Sequence, residues 1–522
     1  MSEHKKDNNA NQFAAILFVA ILVNLGFFYL PDSILDIQIK KVDLLSDIRI
    51  PSKEHGTLIA RGHDPLSENG ALGVDASAHE QIHAGMDSGV TEVKHLPDSN
   101  LISGTESSVN AQNIPSQPAD SIKPKTVEFD RTIPDINNTQ IEDFTAGHTG
   151  LHRFFTALDN IDELGRPVRI AFVGDSFIEG DILVADFRAM MQAQYGGRGV
   201  GFLPITSVVA QYRPTIKQSA NGWNSYSIIN NRSKKYIISG VQFEPSSNNA
   251  SFKYQMVDFR PGLEEASSLK VYYSKNEKTE LILNNNDETL TYELPSSDTM
   301  TQFELSGQFT NGTLQFKNAK GLNAIGVAFE DNHGVSVDNF ALRGNSGIVM
   351  SALDSESCRQ LQQIRPYDLI ILQYGLNVAS DSVRDYSWYR NQMIPVVTHI
   401  QHCFPGSDVL ILSVSDRSRN VGGAYSTMPA VVALLRAQRQ IAQSAEVTFW
   451  SIFAAMGGEN GMVNYVNRNW ASKDYTHLNF NGGREIANVL FDAIMAEKSL
   501  FDNHGRPDEH EIITEHEISD DD

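Results

Sequence analysis

The chain has 522 residues, which is too long for one ordinary domain and predicts several parts with separate roles. Its formal net charge is −22 at pH 7, with 64 acidic residues against 42 basic ones. A balance this acidic argues against nucleic acid as a partner and against binding to anionic lipid.

An almost unbroken apolar segment lies near the N-terminus, at residues 13–30. A membrane-spanning helix needs about 20 apolar residues, so this segment predicts a transmembrane anchor. Lys5 and Lys6 precede it, which predicts that residues 1–12 stay in the cytoplasm while the rest lies outside. A cleaved signal peptide is the alternative, but the segment ends without the small residues of a cleavage site. A retained anchor is therefore favoured.

The segments on either side of the central part have the composition of unfolded chain. Residues 31–141 are rich in Ser, Asn, Asp, His, Gly and Pro with little periodicity, which predicts a flexible linker. Residues 501–522 are acidic and poor in apolar side chains, which predicts a disordered tail. The working part is therefore expected between 142 and 500.

The first chemical motif of that part is Gly174-Asp175-Ser176, directly after the apolar run 168–173. Such a run predicts a buried strand, and a serine just past it lies at the carboxyl edge of a parallel sheet, where ligands bind. Apolar residues recur at helical spacing over 178–191, so we expect a helix that begins near Ser176. The positive N-terminal end of this helix would lie beside the serine.

Residues 206–334 consist of short alternating segments separated by turn signals, which predicts an inserted β-sandwich. The predicted strands are 235–241, 251–257, 268–273, 279–283, 289–294, 301–305, 312–316 and 324–329. An insert of this length is large enough to bury a core of its own.

Two further motifs follow strand-like runs. Gly347 ends an Asn-Ser-Gly stretch after the run 335–342, and Asn377 ends a Gly-x-Asn stretch after the very apolar run 367–373. Loops at strand ends are where binding and catalytic residues concentrate.

The last motif pairs Asp474 with His477, three residues later. A histidine that is oriented by a carboxylate can act as a general base, and a serine hydroxyl needs such a base to become a nucleophile. The pair therefore predicts the second half of a Ser-His-Asp arrangement with Ser176.

The order of these motifs resembles the SGNH branch of the GDSL hydrolases. The four letters of that name correspond to Ser176, Gly347, Asn377 and His477. The resemblance covers about 142–205 and 335–500, which would be the two parts of one hydrolase domain. Two departures are visible: Phe177 stands where the family name has Leu, and no acidic residue follows Asn377.

The resemblance implies a mechanism and its residues. Ser176 would be the nucleophile, His477 the base, and Asp474 the group that orients the imidazole. The oxyanion hole would consist of the backbone N–H groups of Ser176 and Gly347 and the side-chain amide of Asn377. No cofactor is implied, and the remaining histidines lack metal-ligand spacing, so no metal site is predicted.

The predicted fold class is α/β, a three-layer SGNH-hydrolase domain with a parallel sheet and helices on both faces. Strands are expected near 167–173, 368–373 and 408–414, because near-continuous apolar runs are typical of strands covered on both faces. Helices are expected at 430–444 and 483–496. To this domain are added the inserted β-sandwich, the N-terminal transmembrane helix and the disordered linker.

An SGNH domain with a β-sandwich after its first motif looks like the bacterial peptidoglycan O-acetylesterases, whose inserts resemble carbohydrate-binding modules. This resemblance implies a membrane-anchored serine esterase that removes O-acetyl groups from peptidoglycan or a related polysaccharide through an acyl-enzyme. The expected partners are acetylated cell-wall glycan and the membrane. The expected location is the bacterial inner membrane, crossed once, with the catalytic domain in the periplasm.

Several alternatives remain open. The same triad would serve an O-acetyltransferase that passes the acetyl group to a sugar, a lipase or a thioesterase, and a catalytically inactive domain would leave a wall-binding protein. The insert is either a sugar-binding surface or a spacer. Cys358 and Cys403 are either a disulfide or two buried thiols.

Overall fold

The computed structural model describes residues 33–34, 37–38, 139–285 and 288–504. The first four of these residues form a short antiparallel pair of strands, β1 (Ser33–Ile34) and β2 (Ile37–Gln38). The predicted anchor at 13–30, nearly all of the linker and the chain from 505 onward lie outside the described residues. Within the described residues, no helix combines the length and apolar content that crossing a bilayer requires.

The part from residue 139 onward alternates strands and helices around an all-β insert. Its strands are β3 (Glu142–Asp143), β4 (Val168–Gly174), β5 (Gly201–Leu203), β6 (Ile216–Asn221), β7 (Trp223–Ser227), β8 (Val241–Pro245), β9 (Asn249–Met256), β10 (Ala266–Lys275), β11 (Thr279–Asn285), β12 (Glu288–Leu294), β13 (Thr301–Phe309), β14 (Asn311–Lys317), β15 (Asn323–Glu330), β16 (Val335–Ala341), β17 (Leu369–Gln373), β18 (Asp408–Leu412), β19 (Ser418–Val421), β20 (Ala424–Thr427) and β21 (Thr448–Trp450). Its α-helices are α1 (His152–Asp159), α2 (Val184–Tyr195), α3 (Ser355–Ile364), α4 (Ser387–Cys403), α5 (Pro429–Ser444), α6 (Ile452–Ala455), α7 (Gly461–Asn467) and α8 (Phe480–His504).

One sheet of six strands has the order β16-β4-β17-β18-β21-β3. Five of its strands run parallel, but the two-residue edge strand β3 pairs with β21 in the antiparallel sense. The predicted parallel sheet therefore has one antiparallel strand, at this edge. The segment just before α1 is too short and too polar to signal a strand, and only its pairing with β21 makes it one.

Helices cover both faces of this sheet. Every residue of β4, β17 and β18 is buried, and successive side chains of a strand point to opposite faces. The helices pack in two groups, with α1 and α2 against the long α8, and α3 and α5 against α4. The predicted three-layer α/β arrangement is confirmed.

The insert is a β-sandwich of two antiparallel sheets. One has the order β13-β10-β15-β8-β7 with β5 attached to β15, and the other has the order β12-β11-β14-β9-β6. Between them lies a separate core of aromatic and aliphatic side chains, among them Phe252, Tyr254 and Phe329.

The strand predictions for the insert misplace one strand, β8, and omit two, β6 and β7. The strand predicted at 235–241 is wrong, because residues 235–240 form no strand and β8 begins only at Val241. Tyr236, Ile237 and Ile238 are apolar for another reason: they pack into the core of the α/β domain. The polar strands β6 and β7 were missed because each lies at the edge of a sheet and lacks a continuous apolar face.

A buried ionic cluster joins the sandwich to the α/β sheet. Arg365 lies between two carboxylates: its Nη2 is 2.9 Å from Glu330 Oε2 at the end of β15 and 2.8 Å from Asp338 Oδ1 in β16. Arg169 in β4 contacts the same Glu330 at 2.7 Å. Burial opposes ionisation of Glu330, but the three cations Arg169, Arg365 and Lys270 hold the pKa of its carboxyl well below the ordinary value. Separating the insert from the sheet would leave buried charges unpaired, which is strongly unfavourable, so these ion pairs hold the insert in place.

Candidate active site

Three of the predicted motifs, those of Ser176, Gly347 and Asn377, lie in loops that leave three neighbouring strands. β16 and β17 flank β4, and both run parallel to it. The carboxyl ends of the three strands therefore meet at one side of the sheet, which we call the catalytic edge: the loops that begin at Asp175, Leu342 and Tyr374. Ligands of open α/β sheets bind at this side.

Ser176 lies two residues beyond β4 and is partly exposed, between the fully buried Asp175 and the buried Phe177. The predicted helix does not begin here. A short 3-10 turn spans Glu179–Asp181, and α2 begins only at Val184. The expected contribution of a helix N-terminus at Ser176 was therefore wrong.

The interruption has a local cause at Gly180 and Asp181. Both have positive φ values, 68° and 64°, which a right-handed helix does not allow. Asp181 is fully buried and accepts hydrogen bonds from Arg213 Nε and Thr215 Oγ1, each at 2.7 Å. Burial opposes its ionisation, but Arg188 and Arg213 hold the pKa of Asp181 far below the ordinary value. These contacts fix the loop that carries the serine.

His477 and Asp474 form a close pair. His477 Nδ1 lies 2.7 Å from Asp474 Oδ2, and Asp474 Oδ1 accepts the backbone N–H groups of Thr476 at 2.9 Å and His477 at 3.1 Å. Partial burial opposes ionisation of Asp474, but its hydrogen bonds and the charge of His477 hold the pKa below the ordinary value. An ionised Asp474 keeps the proton on Nδ1 and leaves Nε2 as the acceptor, which is the tautomer that a general base requires.

His477 lies close enough to Asp175, the residue before Ser176, to affect its ionisation. Among the described residues, no hydrogen bond joins Ser176 Oγ to the imidazole, whose side chain is 40% exposed. The charge of His477 nevertheless reaches Asp175, the neighbour of the serine, and lowers its pKa. Catalytic hydrogen bonds often tighten only when substrate is bound, so this geometry suits a base that completes its contact with the ester in place.

Two of the three predicted oxyanion donors already have acceptors. Asn377 Nδ2 donates to Asp175 Oδ2 at 2.9 Å and to the carbonyl of Asn345 at 3.0 Å. The Gly347 N–H donates to Asn345 Oδ1 at 2.8 Å. An oxyanion at Ser176 would therefore share these hydrogens in three-centre bonds or displace one acceptor. The structure brings Ser176, Gly347 and Asn377 to the same edge through this network.

Asn345 is the residue of this network to which sequence reasoning gave no role. It is buried, its side chain holds the Gly347 N–H, and its carbonyl holds the Asn377 amide. The sequence signal that could have identified Asn345 was its place in the same three-residue stretch as Gly347. Gly347 itself has a φ of 92°, and an added Cβ would lie 2.8 Å from Met393 Cε and 2.9 Å from Tyr374 Cδ2. Only glycine fits this position without displacing a neighbour.

Asp175 has an unusual environment for a carboxylate. Its Oδ1 accepts the Phe177 N–H at 2.9 Å and its Oδ2 accepts the Asn377 amide, and the side chain is fully buried. Burial raises the pKa of Asp175 to about 7, against the opposing effects of the Phe177 N–H, His477 and Asn377. This carboxyl therefore changes charge near neutral pH beside the residues that would bind the oxyanion.

Other candidate features lie elsewhere. A cavity of about 430 Å³ is lined by His148, His152 and Phe501, among others, but it also touches Thr448, the first residue of β21, and so lies away from the carboxyl ends of the strands. Within the described residues, no group of three or more His, Cys, Asp or Glu side chains is placed to hold a metal ion. Cys358 and Cys403 are both buried and unpaired.

Comparison with known proteins gives a likeness in fold. No family model matches the sequence, and no curated protein matches it. A solved structure of a peptidoglycan O-acetylesterase is similar at a TM-score of 0.57 and 23% identity, over 69% of this chain and 99% of the other. A family two carbohydrate esterase from Cellvibrio japonicus matches at a TM-score of 0.24 and 10% identity, over 54% and 99%. The salicylyl-acyltransferase SsfX3 from a tetracycline biosynthetic pathway matches at 0.27 and 14%, over 57% and 98%.

The comparison of folds rests on the peptidoglycan O-acetylesterase, because its TM-score exceeds 0.5 and those of the other two structures do not. The matched 69% of this chain is a larger share than the α/β domain makes up. The two chains share a fold.

Proposed function

We propose that this chain is a serine esterase that removes O-acetyl groups from a cell-wall glycan through an acyl-enzyme. The proposal is carried by three contacts around the serine: the Asp474–His477 pair at 2.7 Å, the effect of the His477 charge on Asp175 beside Ser176, and the hydrogen bond from the Asn377 amide to the same Asp175. The fold shared with a peptidoglycan O-acetylesterase supports the choice of substrate class.

The chemistry follows from these groups. His477 Nε2 takes the proton of Ser176 Oγ as the oxygen attacks the acetyl carbonyl and the carbonyl oxygen becomes an oxyanion. Collapse of this intermediate breaks the bond to the sugar oxygen, which leaves as the hydroxyl with the proton from the imidazolium. Water, activated by His477, then releases acetate from Ser176. Removing one donor to an oxyanion costs on the order of 10²–10³ in turnover, so the hydrogens shared by Asn377 and Gly347 are central to the rate.

The test is the release of acetate from O-acetylated peptidoglycan by the full chain. The Ser176→Ala variant should lose this release, while Ser246→Ala, an exposed serine in the sandwich, should keep it. Acetate that appears on an added glycan acceptor instead of in solution would make the protein a transferase. Equal release by Ser176→Ala and the wild type would refute the mechanism.

The proposal includes an anchor in the inner membrane with the catalytic part in the periplasm. It is supported by the apolar segment 13–30 and by Lys5 and Lys6 before it. Cell fractionation should find the chain in the membrane pellet, resistant to extraction with high salt and released by detergent. Deletion of residues 1–30 should move it to the soluble fraction, and a full-length chain in the soluble fraction would contradict the anchor.

A further inference from the structure

A two-stranded hairpin, β19 and β20, stands beside the loop that carries the base. It follows β18, whose carboxyl end lies at the same side of the sheet as that of β17. Tyr425 in β20 stacks on Tyr475, with ring centroids 3.6 Å apart and an angle of 7° between the planes. Tyr475 lies between Asp474 and His477 in the chain, so the stacked pair, called here the tyrosine platform, adjoins the base.

The hairpin is held to both sides of the site. The Ser418 N–H donates to the carbonyl of Tyr475 at 3.0 Å. Arg419 Nη1 lies 3.0 Å from Asp381 Oδ1, in the loop that follows Asn377. The position of the tyrosine platform is therefore set by the two loops that carry His477 and Asn377.

Tyr425 is unusually open for a ring that is fixed in this way. It is 39% exposed, and one of its faces rests on Tyr475, so the exposed area belongs to its other face and its edge. The face of an aromatic ring carries partial negative charge and attracts C–H groups, which are the surface that a pyranose ring presents on one side. A fixed, exposed aromatic face beside the loop that carries the base is a surface on which such a ring would lie.

We propose that the tyrosine platform binds a sugar ring of the glycan that carries the ester, through the outer face of Tyr425. The proposal rests on the esterase function proposed above and names the contact that makes the enzyme prefer a sugar ester to a simple one. Binding energy from a part of the substrate that does not react orients the acetyl group at Ser176, so the platform should matter for glycan esters and little for esters without a sugar.

The experiment compares two substrates of the full chain: O-acetylated peptidoglycan, and p-nitrophenyl acetate, which has no sugar. The ratio of kcat/KM for the glycan to kcat/KM for the small ester should fall about five- to tenfold in Tyr425→Ala. Tyr425→Phe keeps the ring face and should keep the ratio within about twofold. Val421→Ala is the matched control, because Val421 is 53% exposed on the same hairpin and has no ring.

A second measurement separates the platform from the chemistry. The inactive Ser176→Ala chain is titrated calorimetrically with O-acetylated peptidoglycan fragments, with and without Tyr425→Ala. Weaker binding in the double variant supports the platform. Equal binding, or an unchanged ratio of kcat/KM in Tyr425→Ala, would overturn it while leaving serine-dependent hydrolysis intact. Failure of Ser176→Ala to abolish hydrolysis would instead refute the esterase mechanism itself.

Discussion

The carboxyl of Asp175 should make the stability of this protein depend on pH, and the substitution Asp175→Asn should remove that dependence. Its hydrogen bonds come from neutral donors, the Phe177 N–H and the Asn377 amide, and burial raises its pKa from 3.8 to about 7. The folded state therefore keeps a proton on Asp175 at pH values where the unfolded chain has released it. Stability is lost as the pH rises between these two pKa values.

The size of the effect follows from the two pKa values. Each pH unit between them costs about 1.36 kcal/mol, so a rise from 3.8 to about 7 corresponds to about 4 kcal/mol in the free energy of unfolding. Asp175→Asn is neutral at every pH and does not pass through this loss. Between pH 4 and pH 8, the free energy of unfolding of the variant should therefore rise by about 4 kcal/mol relative to that of the wild type, regardless of the difference between them at pH 4.

The assay is urea unfolding of both chains at several pH values from 4 to 8, beside measurements of kcat. Asp408→Asn is the control, because burial raises the pKa of Asp408 to about 7 as well. Asp408 is the first residue of β18, at the end of the strand away from the catalytic edge, where it accepts the Phe154 N–H at 2.9 Å. Both variants should change the pH profile of stability alike.

Activity should separate the two variants. Asp175→Asn should lower kcat by about tenfold or more, because the Asn377 amide loses the carboxylate that holds it. Asp408→Asn should leave kcat unchanged. Parallel stability profiles of the wild type and Asp175→Asn between pH 4 and 8 would refute the reasoning, since they would mean that Asp175 ionises as readily in the fold as in the unfolded chain.

Three further predictions concern the base, the glycine loop and the junction of the domains. His477→Ala should lower kcat for acetate release by about 10³-fold or more. Asp474→Asn should lower kcat less, provided that backbone contacts keep the loop in place. Equal losses of kcat in the two variants would contradict the role of Asp474 as a group that only orients the imidazole. Gly347→Ala should lower the free energy of urea unfolding by about 2 kcal/mol and reduce kcat, because the φ of residue 347 is 92° and the added methyl group would meet two side chains. A stable and fully active variant would show that the loop adapts to the methyl group. Arg365→Met should cost about 3–5 kcal/mol in the same unfolding assay, because the buried Asp338 loses its ion pair and the buried Glu330 loses one of its three cations. Arg439→Met is the control: the side chain of Arg439 is 34% exposed, and loss of its ion pair with Glu142 should cost less than about 1 kcal/mol. Equal costs for the two variants would mean that the buried cluster is not what joins the two domains.

The strands that position the site could be predicted from the sequence because each is a continuous apolar run that ends in a polar loop. This holds for β4 and β17, whose apolar runs predict that Ser176 and Asn377 each follow the end of a strand. The start of α2 could not be predicted, because the positive φ of Asp181 is imposed by partners that are distant in the chain. Helical spacing of apolar residues says nothing about such contacts.

The hydrogen bonds of the site could not be predicted from the sequence either. The motif identified Asn377 and Gly347 as donors, but the acceptors they meet depend on how three loops pack against one another. Asn345 uses both its side chain and its carbonyl, and Asp175 uses a carboxylate whose burial no spacing reveals. A pattern of residue types predicts which groups gather, whereas their protonation and pairing follow from packing.

The insert contributes to the site through its attachment as well as through any surface it offers. Arg213 and Thr215, at the start of the sandwich, hold Asp181, which lies five residues beyond Ser176. At the other end of the sandwich, Glu330 is locked to the α/β sheet by buried arginines. A module tied at both ends in this way cannot move independently of the nucleophile loop. This rigid support of the nucleophile loop gives the insert a structural role in the site, whether or not its own surface touches sugar.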